Sequence, residues 1–286
     1  MIIERCRHPF RFYFYSPLIP WALWLLAAWF SHGSNAANRQ SAISVLGLAG
    51  LCGPVVVAAY YAWKDGVLAD VGRRFLNFRG SRAGYYILAL VLMPTSIILA
   101  MAISLLFGYS PDQFVISGHA SFTSGVLPVW FILVIAPVLE ELAWHTYGTD
   151  CLRQRYNLFN TSMIFAVYWA LWHIPLAVIK GYYHSNLVVE GALYSINFLV
   201  SIFPFVLLMN WLYYKTGRNI IVAIVLHLGA NVFNEIFATH PFSKVIQTAL
   251  LLVLCIVIIS WERKTFFEGS GAGSRRFPEN SEKTSN

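Results

Sequence analysis

The chain has 286 residues, of which 58% are hydrophobic and only 12% are charged. Soluble proteins carry about a quarter charged residues, so this composition excludes an ordinary water-soluble enzyme, a disordered protein and a small disulfide scaffold. The net charge is +7, and the apolar residues come in blocks long enough to cross a membrane. The sequence therefore predicts an all-α membrane protein.

Eight apolar segments of roughly 20 residues are predicted to be transmembrane helices. In chain order they are 17–31, 41–63, 83–107, 125–144, 162–179, 191–214, 219–237 and 245–261. We predict a single helical domain over 1–261 with its catalytic core at about 125–237. The segment 262–286 is rich in Gly, Ser and charge, which predicts a disordered cytoplasmic tail.

The basic residues are distributed unevenly between the two sides of the membrane. All but three of the 20 Lys and Arg lie in the two terminal segments or in the loops on the same side of the membrane as the termini. The exceptions, on the opposite side, are Arg39, Lys180 and Lys244. Because cytoplasmic loops carry the excess of Lys and Arg, both termini are predicted to be cytoplasmic. The charges are dispersed over short loops, which disfavours a nucleic-acid partner.

The four cysteines predict no metal centre. Cys52 and Cys255 lie within predicted helices, while Cys6 and Cys151 lie on the predicted cytoplasmic side, where thiols stay reduced. None has the spacing of a zinc site. We therefore expect free thiols and no cofactor.

Ionisable residues inside the predicted helices are the candidates for function, because charge within a bilayer is costly. Glu140 and Glu141 are the acids that lie together in strongly apolar sequence. Among the histidines, His145, His173 and His227 lie away from loops and helix edges. These five residues are the starting point for a site.

Helical geometry indicates which candidates share a face. Adjacent acids point about 100° apart, so Glu140 and Glu141 have different surroundings. Glu141 and His145 are four residues apart and share a face, which predicts a structural pair. The predicted catalytic residues come from three helices, with one helix supplying two of them on one face: Glu140, His173, His227 and Asn231.

These residues are predicted to lie at comparable depth. Counted from the ends on the predicted cytoplasmic side, Glu140 and His173 lie about 20 Å deep and His227 about 13 Å deep. We therefore expect a site that is open to the cytoplasm. Glu235 continues the His227 face toward the opposite surface, where we expect a solvated side chain.

The chemistry of this set favours hydrolysis of an amide by activated water. A buried carboxylate can take a proton from water, and a neighbouring imidazole can orient that water or pass the proton on. An Asn amide and a second imidazole can donate to the oxyanion that forms. A zinc-dependent variant stays open because one Glu and two His could be ligands, although no His-Glu-x-x-His motif is present.

Three ordered motifs resemble those of the CAAX protease and bacteriocin-processing family of intramembrane proteases, which includes the Ras-converting CAAX endopeptidases. The motifs of that family are Glu-Glu-x-x-x-Arg, Phe-x-x-x-His and His-x-x-x-Asn/Asp. The corresponding segments of this chain are Glu140-Glu141-Leu-Ala-Trp-His145, Trp169-Ala-Leu-Trp-His173 and His227-Leu-Gly-Ala-Asn231. The matched stretch, 137–231, covers about a third of the chain.

The resemblance implies an eight-helix fold with a cavity open to the cytoplasm, in a prokaryotic plasma membrane or the endoplasmic reticulum. It implies that Glu140 and His173 activate water while His227 and Asn231 stabilise the oxyanion. The implied substrate is a prenylated or membrane-associated protein, cut after the lipidated Cys in the CAAX branch. A bacteriocin-processing or self-immunity role, a peptide-binding module without activity, and a proton-coupled transporter are the alternatives.

Two positions depart from the family motifs. His145 stands where the family has Arg, and imidazole loses its charge near neutral pH whereas guanidinium does not. We therefore expect stability or activity that depends on pH. Trp169 replaces Phe, which we expect to change the cavity wall rather than the chemistry.

Overall fold

The computed structural model describes residues 6–75 and 83–269, and these residues are predominantly helical. The predicted all-α membrane fold is confirmed. Within the described ranges, seven helices are long and apolar enough to cross a membrane, and an eighth, Ile220–Glu235, is apolar but shorter. Together they correspond to the eight predicted segments.

The helices are α1 (Pro9–His32), α2 (Gln40–Lys64), α3 (Leu68–Phe75), α4 (Ala83–Ser104), α5 (Val129–Ala143), α6 (Thr149–Arg153), α7 (Leu158–Trp172), α8 (Tyr183–Glu190), α9 (Ala192–Lys215), α10 (Ile220–Glu235), α11 (Pro241–Trp261) and α12 (Arg263–Phe267). Side-chain caps fix the starts of several of them. Asn157 accepts a hydrogen bond from the Asn160 amide before α7, and Asn219 accepts one from the Ile221 amide before α10. Both caps define where a site-bearing helix begins.

Helix α5 continues into α6 through a π-helical turn over Trp144–Gly148. Such turns are common at functional sites because they change the register of the helix. Here the buried Arg74 of α3 donates to the carbonyls of His145 (2.7 Å) and Thr146 (2.8 Å). The guanidinium thus satisfies backbone groups in the turn that directly follows Glu140 and Glu141.

Because successive long helices run in opposite directions, the connections gather at two ends. The terminal end contains residues 6–8, 65–75, 149–157, 216–219 and 262–269. The loop end contains residues 33–39, 105–128, 173–191 and 236–240. Contacts hold the loop end together, such as that between the Thr123 amide and the Gly181 carbonyl (2.9 Å).

A network of buried charges closes the terminal end. Asp150 is 3% exposed. It accepts hydrogen bonds from Arg74 (2.8 Å), Tyr214 (2.9 Å) and Arg218. Arg218 also pairs with Asp70 (3.0 Å). Every charge in this network has a protein partner of opposite sign.

Cys6 and Cys151 form a disulfide bond at the terminal end. The prediction of reduced thiols at these positions was wrong. The residues are 145 apart in sequence, and the packing of the N-terminus against α6 brings their Cα atoms to 5.3 Å, within the usual range. Cys52 and Cys255 are free.

The first residues of the predicted disordered tail are helical. α12 follows α11 almost directly, and Phe266 is only 1% exposed. The ring of Phe267 lies 5.2 Å from that of Phe159 on α7. The helical domain therefore extends past 261, and residues 270–286 lie outside the described part of the chain.

Candidate active site

A cavity of about 290 Å³ lies among the long helices in the half of the molecule nearer the loop end. Its wall is mostly apolar and includes Leu51, Met93 and Leu133. All four predicted catalytic residues line it, from α5, the end of α7 and α10: Glu140, His173, His227 and Asn231. The fold therefore brings the predicted set together.

The cavity and the chain termini lie at opposite ends of the molecule. The wall includes loop-end residues such as Phe122, Tyr183 and His184. No described residue of the terminal end lines it. The predicted cytoplasmic termini and the predicted cytoplasmic opening of the site therefore favour opposite orientations of this fold, and both stay predictions. Depth did not reveal this, because Glu140 is also about 17 Å from the start of α5 at Val129.

The two adjacent acids have different partners. Glu141 is fully buried and accepts hydrogen bonds from Nδ1 of His145 and Nδ1 of His227, the latter at 2.8 Å. Glu140 lines the cavity and accepts one hydrogen bond, from the indole of Trp169 at 2.9 Å. No described imidazole hydrogen bonds to the Glu140 carboxylate, and its cavity-facing side is available for water.

His145 forms the predicted pair with Glu141 and lies outside the cavity. It is 0% exposed, and its Nε2 donates to Oδ1 of Asn210 on α9 at 2.9 Å. The Asn210 amide in turn donates to Ser162 on α7 at 3.0 Å. The sequence analysis missed Asn210, although a carboxamide inside a predicted membrane helix is a signal that could have identified it.

His173 is placed by the end of α7. The helix stops at Trp172 because Pro175 follows shortly after and disfavours a further α-helical turn. Nδ1 of His173 donates to the Trp169 carbonyl at 2.7 Å, which makes Nε2 the acceptor nitrogen. The ring of His184, which the sequence analysis placed in a loop, lies 5.1 Å from the His173 ring and also lines the cavity.

His227 and Asn231 are one turn apart on α10, as predicted. Because Nδ1 of His227 is engaged by Glu141, the ring is held with its other nitrogen free of any described partner. The Asn231 side chain also makes no hydrogen bond within the described ranges. The Asn231 amide is thus an available donor in the cavity wall, and Nε2 of His227 can donate beside it only when the ring is an imidazolium with a proton on both nitrogens.

Trp169 does more than shape the wall, contrary to the expectation from the sequence. Its indole N–H donates to Glu140, and its ring lies 5.4 Å from His173 and 5.2 Å from His227. A phenylalanine has no N–H and cannot make the first contact. The departure from the family motif therefore reaches the carboxylate itself.

The described residues contain no group of three or more His, Cys, Asp or Glu arranged to hold a metal ion. The zinc-dependent alternative predicted that one Glu and two His would converge as ligands. Nδ1 of His227 is engaged by Glu141 and Nδ1 of His173 by a backbone carbonyl, and metal-binding histidines make the same contacts through the nitrogen that does not bind the metal. A chelator therefore tests the zinc-dependent alternative.

Comparison with known proteins agrees with the motif resemblance. A family model described as type II CAAX prenyl endopeptidase Rce1-like matches residues 122–233, the stretch that contains all four cavity-lining candidates. The protein named CAAX prenyl protease 2 from Methanococcus maripaludis is 32% identical over 265 residues. That similarity covers 91% of this chain and 97% of the relative, so it extends far beyond the motifs.

Proposed function

Because the chain belongs to the Rce1-like family of type II CAAX prenyl endopeptidases, we propose that it removes the C-terminal tripeptide from prenylated CAAX proteins. Its multi-pass membrane fold suits a substrate whose lipid is attached next to the bond that is cut. The observation that carries the proposed mechanism is the different engagement of two adjacent acids. Glu141 is occupied by two imidazoles, whereas Glu140 faces the cavity with one hydrogen bond.

Glu140 is the general base in this proposal. Its carboxylate takes a proton from water as the water oxygen attacks the carbonyl carbon after the prenylated Cys. His173 orients that water through Nε2, because its Nδ1 proton is held by the Trp169 carbonyl. Glu140 then passes the proton to the leaving nitrogen, the C–N bond breaks, and the tripeptide leaves with a free amine.

Asn231 and the imidazolium form of His227, which donates through Nε2, stabilise the oxyanion of the tetrahedral intermediate. Both line the cavity on one face of α10, and neither the Asn231 amide nor the second nitrogen of His227 has a described partner to compete with substrate. Glu141 supports this role by fixing the His227 ring through Nδ1. Removing one such donor typically lowers kcat by 10²- to 10³-fold.

We also propose that the loop end faces the cytoplasm. Prenylation modifies proteins that are otherwise soluble, so a cavity that serves them opens on the cytoplasmic side. The Cys6–Cys151 disulfide at the terminal end is typical of an oxidising compartment. This orientation is the reverse of the one predicted from the distribution of Lys and Arg. The two orientations therefore predict that opposite ends of the molecule are accessible from outside the cell.

Cysteine accessibility tests this orientation. Val189→Cys at the loop end and Arg73→Cys at the terminal end replace side chains that are largely exposed, 86% for Val189 and 65% for Arg73. In intact cells, a membrane-impermeant maleimide is expected to label only the Arg73→Cys variant. Labelling of only the Val189→Cys variant would overturn the orientation.

The test of the activity uses purified full-length protein in detergent and a quenched fluorescent peptide that ends in a farnesylated CAAX sequence. We expect cleavage directly after the farnesylated Cys, shown by mass spectrometry, and no change with a metal chelator. An unprenylated peptide of the same sequence is the matched control. Cleavage elsewhere or loss of activity with chelator would contradict the proposal, and binding without cleavage would favour the peptide-binding alternative.

A further inference from the structure

The cavity contains a buried lysine at its loop-end side that the proposed chemistry does not use. Lys244 is the fourth residue of α11, and its side chain is 15% exposed. Among the described residues that line the cavity, it is the one Lys or Arg. The positive end of α11 adds to its charge, because Lys244 lies in the first helical turn.

The ammonium group of Lys244 is held in place but few of its donors are used. It lies 3.7 Å from Oε1 of Glu235 and 3.4 Å from the hydroxyl of Tyr183, over whose ring it sits at 5.1 Å. Glu235 is buried at 5% exposure rather than solvated as predicted, because it accepts hydrogen bonds from the amide and hydroxyl of Ser121. An ammonium has three donors, so at least one remains for a ligand.

Lys244 lies about the length of an extended tripeptide from the oxyanion donors, as judged from the position of its neighbour Glu235 on α10. Glu235, which Lys244 approaches, is eight residues beyond His227 and four beyond Asn231, or about 12 Å and 6 Å along the helix axis. Three extended residues span about 10 Å. A tripeptide with its cut bond at His227 and Asn231 therefore reaches the Lys244 ammonium with its last residue.

From this arrangement we infer that Lys244 binds the C-terminal carboxylate of the substrate. The inference rests on the proposed function, since the tripeptide that leaves carries that carboxylate. A buried cation beside an apolar wall binds a carboxylate through a charge-assisted hydrogen bond. The site therefore selects chains that end three residues after the cut bond, and rejects internal sequences and blocked C-termini.

The experiment compares two farnesylated peptides of one sequence, one with a free C-terminal carboxylate and one with a C-terminal amide. The wild-type protein is expected to favour the carboxylate by about 10- to 100-fold in kcat/KM, the range for a hydrogen bond to a charged group. The preference is expected mainly in KM, because the contact is made before and during the reaction alike. Lys244→Met is expected to lower the ratio to about one, and Lys244→Arg to restore most of it.

Two controls separate a binding role from a structural one. Lys180→Met removes an exposed lysine of the same end and is expected to keep the wild-type ratio. Thermal unfolding of each variant shows whether it folds, and a merely structural loss in Lys244→Met would lower both rates and leave their ratio unchanged. A wild-type ratio near one, or a ratio that survives in folded Lys244→Met, would overturn the inference.

A binding measurement covers the case in which no prenylated peptide is cleaved, which would count against the proposed function. The free tripeptide is titrated into wild-type protein and into Lys244→Met. Binding that weakens by about 10-fold or more in the variant supports the carboxylate site without any cleavage. Equal binding, or no binding to either protein, would refute it.

Discussion

Both ends of the molecule bury charge, but they differ in whether the charges have protein partners. At the terminal end, Asp150 receives hydrogen bonds from Arg74, Arg218 and Tyr214. In the cavity, Glu140 receives a hydrogen bond from Trp169 but has no cationic partner hydrogen-bonded to it, and Lys244 contacts Glu235 and Tyr183 only at 3.7 and 3.4 Å. Ion pairs that satisfy each other hold a structure together, whereas uncommitted groups in a cavity can act on a substrate.

This difference assigns stability to one end and chemistry to the other. Substitutions in the terminal network are expected to change the free energy of unfolding first and activity only through it. Substitutions of the uncommitted cavity residues are expected to change kinetics without loss of fold. The predictions that follow test this division.

The largest effect on stability is expected from Asp150→Ala. Removing this carboxylate leaves Arg74 and Arg218 with Asp70 as their one shared acid, so one buried positive charge is uncompensated, which typically costs about 3–5 kcal/mol. Chemical denaturation in detergent measures the loss. Asp112→Ala, at an exposed loop-end acid, is the control and is expected to change stability by about 0.5 kcal/mol or less. Equal effects of the two substitutions on the free energy of unfolding would contradict the stabilising role of the terminal network.

Asn231→Ala is expected to lower kcat by about 10²- to 10³-fold with little change in unfolding, because it removes an oxyanion donor that no described residue uses. Steady-state kinetics with the farnesylated peptide and a thermal melt measure the two quantities. Asn38→Ala, at an exposed loop position, is the matched control. A loss of stability large enough to account for the lost activity would show that Asn231 supports the fold rather than the reaction.

His145→Arg is expected to lower the melting temperature, because a larger guanidinium replaces a ring that is fully buried and contacts both Glu141 and Asn210. Thermal unfolding in detergent measures the change. An unchanged melting temperature would show that the site accommodates the arginine of the family motif.

The smallest effect is expected at the surface pair of Lys215 and Glu262. Partial burial raises the pKa of Glu262, but hydrogen bonds from Lys215 and Thr265 outweigh it and hold the pKa below its ordinary value. The pair therefore stabilises the fold above the ordinary glutamate pKa of about 4.3, and loses that contribution as pH falls through the lowered value. Lys215→Met is expected to cost less than about 1 kcal/mol at neutral pH.

Unfolding at two pH values checks this last prediction. The loss caused by Lys215→Met is expected at neutral pH and is expected to vanish once Glu262 is protonated. A loss that is the same at both pH values would show that the lysine acts through packing of its aliphatic stem instead.

Local sequence patterns predicted much of the fold and of the site. Apolar runs identified the long helices, and the i, i+4 spacing identified the pair of Glu141 and His145. The family motifs identified Glu140, His173 and the polar face of α10 as parts of one site. These features depend on short-range geometry or on residues that a family motif marks. They could therefore be predicted from one chain.

Long-range packing produced what the sequence did not predict. The Cys6–Cys151 bond joins residues 145 apart, and Glu235 is buried because Ser121 of a distant loop covers it. Periodicity and charge counts contain no information on such contacts.

The most direct test of the central claim replaces each of the adjacent acids with its amide. Glu140→Gln is expected to lower kcat by at least about 100-fold, since it removes the general base, while the melting temperature stays at the wild-type value. Glu141→Gln is expected to lower the melting temperature, because His145 and His227 lose their shared carboxylate. Cleavage by Glu140→Gln within about 10-fold of the wild-type rate would contradict the account.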